Sequence, residues 1–379
     1  MPRTPRRRVG GRAVLAVLAA AGLTVTGVLA ASPTTAAAQP AASTQPPPVR
    51  HVFVVNLENK GYDETFGPDS PAPYLSKTLT AKGQLLTQYH GTAHDSLPNY
   101  IAQISGQGPN PQTQADCAVF SDFAQTGTVA PKQAVGNGCV YPAGVKTVAD
   151  QLAAKGLTWR GYMEDMGTPC RHPASSADDD THKAKAGDQY AARHNPFVYF
   201  HSITDKPSCA ADDVDLSRLT TDLSTAATTR NLTYITPNLC NDAHDSPCVD
   251  GRPGGLVTAD QWLSTWVPKI LASPAYKKDG LLVVTFDEAD TDAPGGVSAA
   301  ACCGEGPGPN SPLPGIYGMG GGRTGTVLVS PFLRPGTVND AGYNHYSLLR
   351  TIEDTFGLSP LGYAKDARGF GTEVYGAGK

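Results

Sequence analysis

Short apolar runs alternate along the chain with longer stretches in which apolar residues recur every three or four positions. The runs have the length of strands, and several are apolar on both faces, as strands inside a covered parallel sheet are. They lie at 51–57, 157–163, 232–236, 281–286 and 326–330. The helical stretches lie between them, at 74–82, 98–105, 147–155, 215–228, 259–272 and 346–356. This alternation predicts an α/β fold with a central, mostly parallel sheet.

The first 50 residues have a different pattern. Five arginines precede a weakly apolar run at 13–31, and small residues follow it, which is typical of a secretory signal. We predict a signal peptide over 1–38, a Pro/Ala-rich linker over 39–50 and a single domain over 51–379, so that the protein is secreted. A membrane anchor is the alternative, but Ala, Gly and Thr dominate the run. The triplet Arg6, Arg7 and Arg8 leaves the twin-arginine route open beside the general secretory route.

The charge balance excludes one class of partner. The chain of 379 residues has 30 Lys and Arg against 34 Asp and Glu. Removal of the five arginines of the predicted signal leaves 25 basic residues and a net charge of about −9. A nucleic-acid partner is not expected at that charge, and a substrate phosphate would have to be held by a local cation. No second apolar stretch is long enough to span a bilayer, so stable membrane insertion is not expected either.

Eight cysteines, an even number, fit an exported protein with disulfides. No CxxC pair occurs among them, which argues against a zinc knuckle. Local pairing predicts Cys240–Cys248 and Cys117–Cys139. The partners of the other four cysteines stay open, because eight cysteines allow 105 pairings.

Polar residues follow the predicted strands at the points where ligands bind in open α/β sheets, beyond the carboxyl ends. Glu58 and Asn59 follow the first strand, and Asp287 and Glu288 follow the strand at 281–286. Paired acids at a strand end repel each other unless a cation lies between them. A solvated turn is the alternative for each pair alone. Two such strand ends together favour a divalent cation with oxygen ligands. The strand at 326–330 contributes Ser330 to the same expected edge.

Ser96 lies in the segment "HDSLPNYIAQISG", two residues before a proline that suits the first turn of a helix. The helix is predicted from about Pro98 to Ser105 and ends at Gly106. Ser96 would then lie at a helix N-terminus, where free N–H groups favour an anion. A plain N-cap role is the alternative. A nucleophilic role needs activation, which a coordinated metal can supply, since no GxSxG elbow surrounds the serine.

Three histidines are candidates for the same site. His244 lies with Asp242 in a short loop between Cys240 and Cys248, where a disulfide would hold both side chains rigidly. His345 directly precedes an amphipathic helix, and His194 lies in the loop "ARHNPFVYF". A polar surface turn and a helix-end position are the alternatives for the first two.

Seven segments in this order resemble the phosphoesterase family, which holds bacterial acid phosphatases and phospholipases C within the alkaline phosphatase superfamily. They are VVNLENKGYDETFG, HDSLPNYIAQISG, HNPFVYF, PNLCNDAHD, VVTFDEAD, VLVSPFLRPGT and NHYSLLRTIEDTFGL. Each is weak alone, and the order makes the resemblance specific. It spans about residues 50 to 362 and implies a three-layer α/β sandwich like that of alkaline phosphatase.

The resemblance also implies a site. The residues that match a divalent metal site are Glu58, Asn59, Ser96, Asp287 and Glu288, and we expect Asp242 to approach the same cation. Ser96 matches the nucleophile. Asn99, His194, His244 and His345 match polar groups around the phosphate, with His244 or His345 as the proton donor to the leaving oxygen. Asp242 and His244 are two residues apart, not four as in relatives with two metals, so a second metal is not implied.

The expected protein is thus a secreted, metal-dependent acid phosphatase that hydrolyses small phosphate monoesters through a phosphoserine. The cation is expected to be Ca²⁺, Mg²⁺, Mn²⁺ or Zn²⁺. One alternative is a phospholipase C or another phosphodiesterase, and another is a non-catalytic secreted binding protein on the same fold. The oligomeric state is left open.

Overall fold

The computed structural model describes residues 48–289 and 298–375, apart from the side chains of 372 and 373. The predicted signal peptide and most of the predicted linker lie outside the described residues. The described chain is packed from Val49 onward, since Val49 is buried and the Arg50 N–H donates to the Asp279 carbonyl at 3.0 Å.

A sheet of eight strands forms the centre of the fold. In chain order the strands are β1 His51–Leu57, β2 Gln84–His90, β3 Trp159–Met163, β4 Asp213–Asp215, β5 Leu232–Thr236, β6 Gly280–Phe286, β7 Thr326–Val329 and β8 Thr337–Asn344. Their order across the sheet is β8-β2-β7-β6-β1-β5-β3-β4. Neighbouring strands are parallel except at β7, which is antiparallel to both β6 and β2. The predicted α/β fold with a mostly parallel sheet is therefore confirmed.

The reversed direction of β7 corrects one expectation. Because β7 runs against its neighbours, its carboxyl end lies at the opposite edge of the sheet from the ends of β1 and β6. Ser330, which follows β7, accordingly donates its hydroxyl hydrogen to the carbonyl of Gly280, the first residue of β6, at 2.6 Å. Ser330 therefore lies away from the expected site.

Helices cover both faces of the sheet. The longer ones are α1 Ser96–Ser105, α2 Val148–Ala154, α3 Gly255–Ala272 and α4 His345–Phe356. Side chains alternate along a strand, so β1 packs Val52 and Val54 into one apolar cluster, with α1, α2 and α4. The same strand packs Phe53 and Val55 into a second cluster, with α3. Each such side chain stabilises the fold by roughly 1.5–3 kcal/mol on full burial. The result is a three-layer sandwich, as predicted.

Helix α1 begins two residues earlier than predicted, so Ser96 is its first residue and Asp95 precedes it as N-cap. The helix ends at Gly106, which has φ +67° and whose added Cβ would lie 2.4 Å from the Leu361 carbonyl oxygen. Only glycine adopts that conformation at low cost. Both ends of the helix that carries Ser96 are therefore fixed.

The predicted helix at 215–228 is confirmed only for its first half. The chain forms two short helical segments there, Leu216–Arg218 and Leu219–Asp222, and then stops. The hydroxyls of Thr228 and Thr229 donate to the Asp222 carbonyl at 2.9 and 3.0 Å, so side chains replace the helical hydrogen bonds. Strands β2, β4 and β8 lay outside the prediction, as did a hairpin of Ala124–Val129 with Gln133–Asn137.

Four disulfides join the cysteines. The predicted pairs Cys117–Cys139 and Cys240–Cys248 are confirmed, and the remaining pairs are Cys170–Cys209 and the adjacent residues Cys302–Cys303. Within the described ranges, no helix is long and apolar enough to cross a membrane.

Candidate active site

Polar side chains converge at the carboxyl edge of the three central strands. Glu58 and Asn59 directly follow β1, Asp287 directly follows β6, and Asp242 lies in the loop after β5. The Ser96 hydroxyl, at the start of α1, donates to Glu58 Oε2 at 2.8 Å and lies 3.4 Å from Asn59 Oδ1. The sheet thus brings these predicted residues to one place.

Asn59 joins the two acidic strand ends. Its backbone N–H donates to Asp287 Oδ1 at 3.1 Å, and its φ is +47°. Its side-chain oxygen faces carboxylate oxygens. With the amide oxygen and nitrogen exchanged, the nitrogen would donate to Glu58 Oε2 at 2.7 Å and to Asp287 Oδ1 at 3.2 Å. The amide therefore either bridges the two carboxylates or turns its oxygen towards a cation between them.

His194 lies between two buried carboxylates. Its Nε2 is 3.3 Å from Glu58 Oε2, and its Nδ1 is 3.2 Å from Asp242 Oδ2. Neither nitrogen has hydrogen-bond geometry with these oxygens, and Asp242 Oδ2 and Asp287 Oδ2 are buried without a hydrogen-bond partner as well. Ligand atoms of Glu58, His194 and Asp242 lie within 4.8 Å of one another. Buried polar atoms without partners are costly unless an ion or water satisfies them, so this donor set fits a divalent cation.

The electrostatics of the three acids agree with that fit. Glu58, Asp242 and Asp287 are fully buried. Burial raises the pKa of Glu58 and of Asp242 well above the usual range, and it raises the pKa of Asp287 to about 8. Repulsion among the acids adds to the shift at Glu58. Without a cation, folding favours the protonated acids.

Tyr100, which the sequence reasoning missed, supports Glu58 and His194. Its hydroxyl donates to Glu58 Oε1, and its ring stacks on the His194 imidazole with centroids 5.4 Å apart and an interplanar angle of 4°. Tyr100 lies one helical turn after Ser96, so the spacing along α1 is the signal that would have identified it.

Glu288 turns to a different partner. Its carboxylate contacts His94 Nδ1, and the Nε2 of that histidine lies 3.0 Å from the Ser298 carbonyl. Glu288 Oε2 and His94 Nδ1 are nevertheless both buried without hydrogen-bond geometry. Asp287 lies beside Asn59 and Glu288 beside His94, and the shared ligand role of the two acids stays a prediction.

Asn99 does not face the expected phosphate position. Its Oδ1 accepts from the N–H groups of Thr92 and Ala93 at 2.8 and 3.0 Å. Its Nδ2 donates to the carbonyls of Ala93 and Asp95 at 2.9 and 3.0 Å. Since both amide hydrogens are used, Asn99 fixes the loop that leads into Ser96.

His345 also lies behind the site. Its Nε2 contacts the Asp287 carbonyl oxygen, and its Nδ1 lies 3.1 Å from the Tyr89 hydroxyl and 3.2 Å from Gln103 Nε2. Burial lowers the pKa of His345 to about 4, so the ring is neutral at ordinary pH. These contacts correct the expectation that His345 faces the phosphate, because they make it a support for the backbone at Asp287.

His244 is the candidate histidine that lies at an open cavity. The Cys240–Cys248 disulfide closes its loop, and its backbone N–H donates to Asp242 Oδ1 at 2.8 Å. Its Nδ1 lies 2.8 Å from Asp245 Oδ1. The cavity has a volume of about 580 Å³. It is lined by Asp116, His182, Lys183, Arg193, His244 and Asp245, with apolar residues at one side.

Arg193 connects this cavity, here called the Arg193 cavity, to the buried acids. The side chain is only 4% exposed, and its Nε lies 3.3 Å from Asp116 Oδ2. Its Nη1 donates to the His182 carbonyl at 2.9 Å, and its Nη2 lies 3.4 Å from His244 Nε2. From the sequence we expected a positively charged residue near the phosphate but did not identify it. The position of Arg193, directly before His194, was the signal that would have identified it.

The chain belongs to the Phosphoesterase family, whose family model matches residues 71–359. The predicted family resemblance is thereby confirmed. The chain is 28% identical over 306 residues to a phosphate-repressible acid phosphatase of Penicillium chrysogenum, which covers 81% of this chain and 58% of that protein. It is 27% identical over 330 residues to a phosphatidylinositol-3-phosphatase of Mycobacterium tuberculosis, which covers 87% and 84%.

Among solved structures, an alkaline phosphatase superfamily protein from Vibrio parahaemolyticus aligns with 86% of this chain and 72% of its own, with 14% identity and a TM-score of 0.47. The chain spans less than two thirds of the length of the Penicillium enzyme and of an acid phosphatase of Aspergillus fumigatus, which is 26% identical.

Proposed function

We propose that this protein is a metal-dependent acid phosphatase that hydrolyses phosphate monoesters through a phosphoserine at Ser96. The observation that carries the proposal is the Ser96 hydroxyl, which lies at the first residue of a buried helix and donates to Glu58 Oε2 at 2.8 Å. A hydroxyl in that position has its proton directed at a carboxylate and its oxygen at a helix N-terminus, where negative charge is favoured.

The residues that would hold the cation are Glu58, Asn59, Ser96 and Asp287, with Asp242 and His194 beside them. When bound, a divalent cation would lower the pKa of the Ser96 hydroxyl and offset the charge of the three acids. Oxygen ligands suit Mg²⁺, Ca²⁺ or Mn²⁺, and the His194 nitrogen shifts the preference towards Zn²⁺.

Residues of the chain carry out nucleophilic attack, phosphate binding and proton donation. Ser96 gives up its proton to Glu58 Oε2, and its Oγ bonds to phosphorus in line as the bond from phosphorus to the leaving oxygen breaks. Water then cleaves the phosphoserine and releases phosphate. Arg193 and the N–H groups of the first turn of α1 hold the phosphate oxygens. His244, oriented by Asp245 at the open cavity, donates the proton to the leaving oxygen. Burial lowers the pKa of His194 well below its usual value, so His194 stays neutral beside the acids.

The relatives support a monoester substrate. The fungal proteins are named acid phosphatases, and the mycobacterial protein is named for a phosphatidylinositol monophosphate. The open Arg193 cavity of about 580 Å³ gives room for a leaving group of moderate size. Four disulfides further support export to an oxidising compartment, in line with the predicted signal.

The test compares three substrates and two variants. Native protein, treated with chelator and then reloaded with each candidate cation, is assayed on 4-nitrophenyl phosphate, bis(4-nitrophenyl) phosphate and phosphatidylcholine. We expect the monoester to be preferred and Ser96→Ala to lose on the order of 10³-fold or more in kcat. Ser105→Ala, a buried serine of the same helix, is the matched control. Preference for either diester would favour the phosphodiesterase alternative, and full turnover by Ser96→Ala would exclude Ser96 as nucleophile.

A further inference from the structure

Asp116 places a carboxylate at the mouth of the candidate site. The residue precedes Cys117, whose disulfide to Cys139 fixes this loop, and its φ is +49°. Oδ1 accepts from the Leu97 N–H at 2.9 Å, and Oδ2 lies 3.3 Å from Arg193 Nε. The side chain is 13% exposed and lines the Arg193 cavity.

Both partners of Asp116 are groups that a phosphate bound at Ser96 would use. Leu97 directly follows Ser96 in the first turn of α1, so its N–H has no acceptor within the helix and donates to Asp116 instead. Arg193 is a buried guanidinium that directly precedes His194. A helix N-terminus and an arginine together form a strong anion site, and here a carboxylate of the chain fills it.

We infer that Asp116 competes with substrate phosphate for two hydrogen-bond donors, the Leu97 N–H and the Arg193 guanidinium. Its carboxylate occupies the position of the phosphate oxygens and moves away when phosphate binds. The inference rests on the proposed function, since it takes the phosphate site to be the one beside Ser96. Its consequence is weaker retention of the inorganic phosphate product. Removal of the Asp116 charge therefore tightens phosphate binding.

A purely structural role for Asp116 leads to the opposite result. If the carboxylate only caps α1 and holds the Arg193 side chain in place, its loss releases Arg193 and weakens phosphate binding. The substitution Asp116→Asn separates these cases, because the amide oxygen still accepts from Leu97 N–H while the negative charge is gone.

Two measurements test the effect on cation-loaded protein. Calorimetric titration with inorganic phosphate gives its dissociation constant, and steady-state kinetics with 4-nitrophenyl phosphate give its inhibition constant. We expect Asp116→Asn to lower both constants about 3- to 30-fold, the range for removal of one like charge near a bound anion at a partly screened site. The matched control is Asp188→Asn, which removes the same group from a two-bond pair with Arg171 at 2.9 and 2.8 Å. The control is expected to leave both constants unchanged.

An unchanged or raised phosphate dissociation constant in folded Asp116→Asn overturns the inference. The native protein provides a second measurement that needs no folded variant at Asp116. With isotope-labelled arginine, the Arg193 Nε–H resonance, assigned by its loss in Arg193→Lys, is expected to move on addition of phosphate. A resonance that stays in place overturns the inference as well.

The proposed function has a separate outcome. If Asp116→Asn binds phosphate more tightly than native protein does but native protein hydrolyses no ester, the proposed function fails and the inference holds. If ester is hydrolysed and Asp116→Asn binds phosphate no better, the function holds and the inference fails.

Discussion

Removal of the cation is expected to lower thermal stability, because three acids lie buried together and the described groups in contact with them are hydrogen-bond donors and the neutral His194. Glu58, Asp242 and Asp287 are each fully buried, and burial raises the pKa of Asp287 to about 8. A ligand present at 100 times its Kd stabilises the folded state by about 2.7 kcal/mol. For a domain of more than 300 residues, 1 kcal/mol shifts the Tm by about 1.5 °C. The expected gain on reloading is therefore about 4 °C.

The gain in Tm on cation binding should also depend on pH. Below about pH 8 the cation-free protein keeps a proton on Asp287, and burial favours protons on Glu58 and Asp242 as well, so the cation must displace them. Each displaced proton weakens binding by about 1.4 kcal/mol for every pH unit below the pKa of its carboxyl. The gain in Tm at fixed cation concentration is thus expected to shrink as the pH falls from 8 to 5.

Differential scanning calorimetry of chelated and reloaded protein measures both effects, with Asp287→Asn as the variant. The amide keeps the shape but removes one charged ligand, so most of the cation-induced shift is expected to disappear. Asp279→Asn is the control, since Asp279 is a buried acid whose carboxylate pairs with His51 at the far end of β1. The reasoning is refuted if Asp287→Asn keeps the full shift while the native protein responds to reloading, or if chelation leaves the native Tm unchanged.

The remaining predictions concern other parts of the fold. Arg193→Lys is expected to raise the KM for 4-nitrophenyl phosphate about tenfold, because the ammonium lacks the planar fork, and an unchanged KM in steady-state kinetics would contradict it. Burial raises the pKa of Asp213 to about 7. Between about pH 4 and pH 7 the unfolded state therefore loses this proton before the folded state does. The free energy of unfolding falls as the pH rises through this range, by up to about 4 kcal/mol. Urea unfolding of Asp213→Asn at several pH values is expected to show a flatter curve than native protein, and equal slopes would count against it. Gly106→Ala is expected to cost roughly 1–3 kcal/mol in the same assay, since φ is +67°. Replacement of Cys117 and Cys139 by serine is expected to cost about 2–4 kcal/mol, and an unchanged midpoint would show that this loop is held by other contacts.

The central strands and their acids were predictable because both signals are local. β1, β5 and β6 are buried on both faces, so their sequences are continuous apolar runs, and the polar residue that ends each run marks the edge of the sheet. The direction of β7 was not predictable in this way. An apolar run reads alike in parallel and antiparallel neighbours, and only the partner strand decides which edge Ser330 reaches.

The orientation of individual side chains was the harder part. Asp287 and Glu288 are adjacent and chemically alike, yet Asp287 accepts from the Asn59 N–H while Glu288 contacts His94. Asn99 bonds the loop directly before α1, a contact that depends on the conformation of that loop. The hydrogen-bond partners of His345 come from distant segments, at Tyr89 and Gln103. Arg193 was missed for the same reason, since its role is visible only once Asp116 lies beside it.

The three acids at the site come from strands that are neighbours in the sheet and distant along the chain. β1 pairs with β6 across a separation of more than 200 residues, and with β5 across about 180. Such long-range pairing gives a high contact order, and its loop-closure entropy is recovered only when the central strands assemble together. The proposed cation-binding residues are therefore expected to become neighbours only when β1, β5 and β6 assemble. A fragment that lacks either half of the chain should bind no cation in this manner, and recovery of cation binding during refolding should coincide with formation of the sheet.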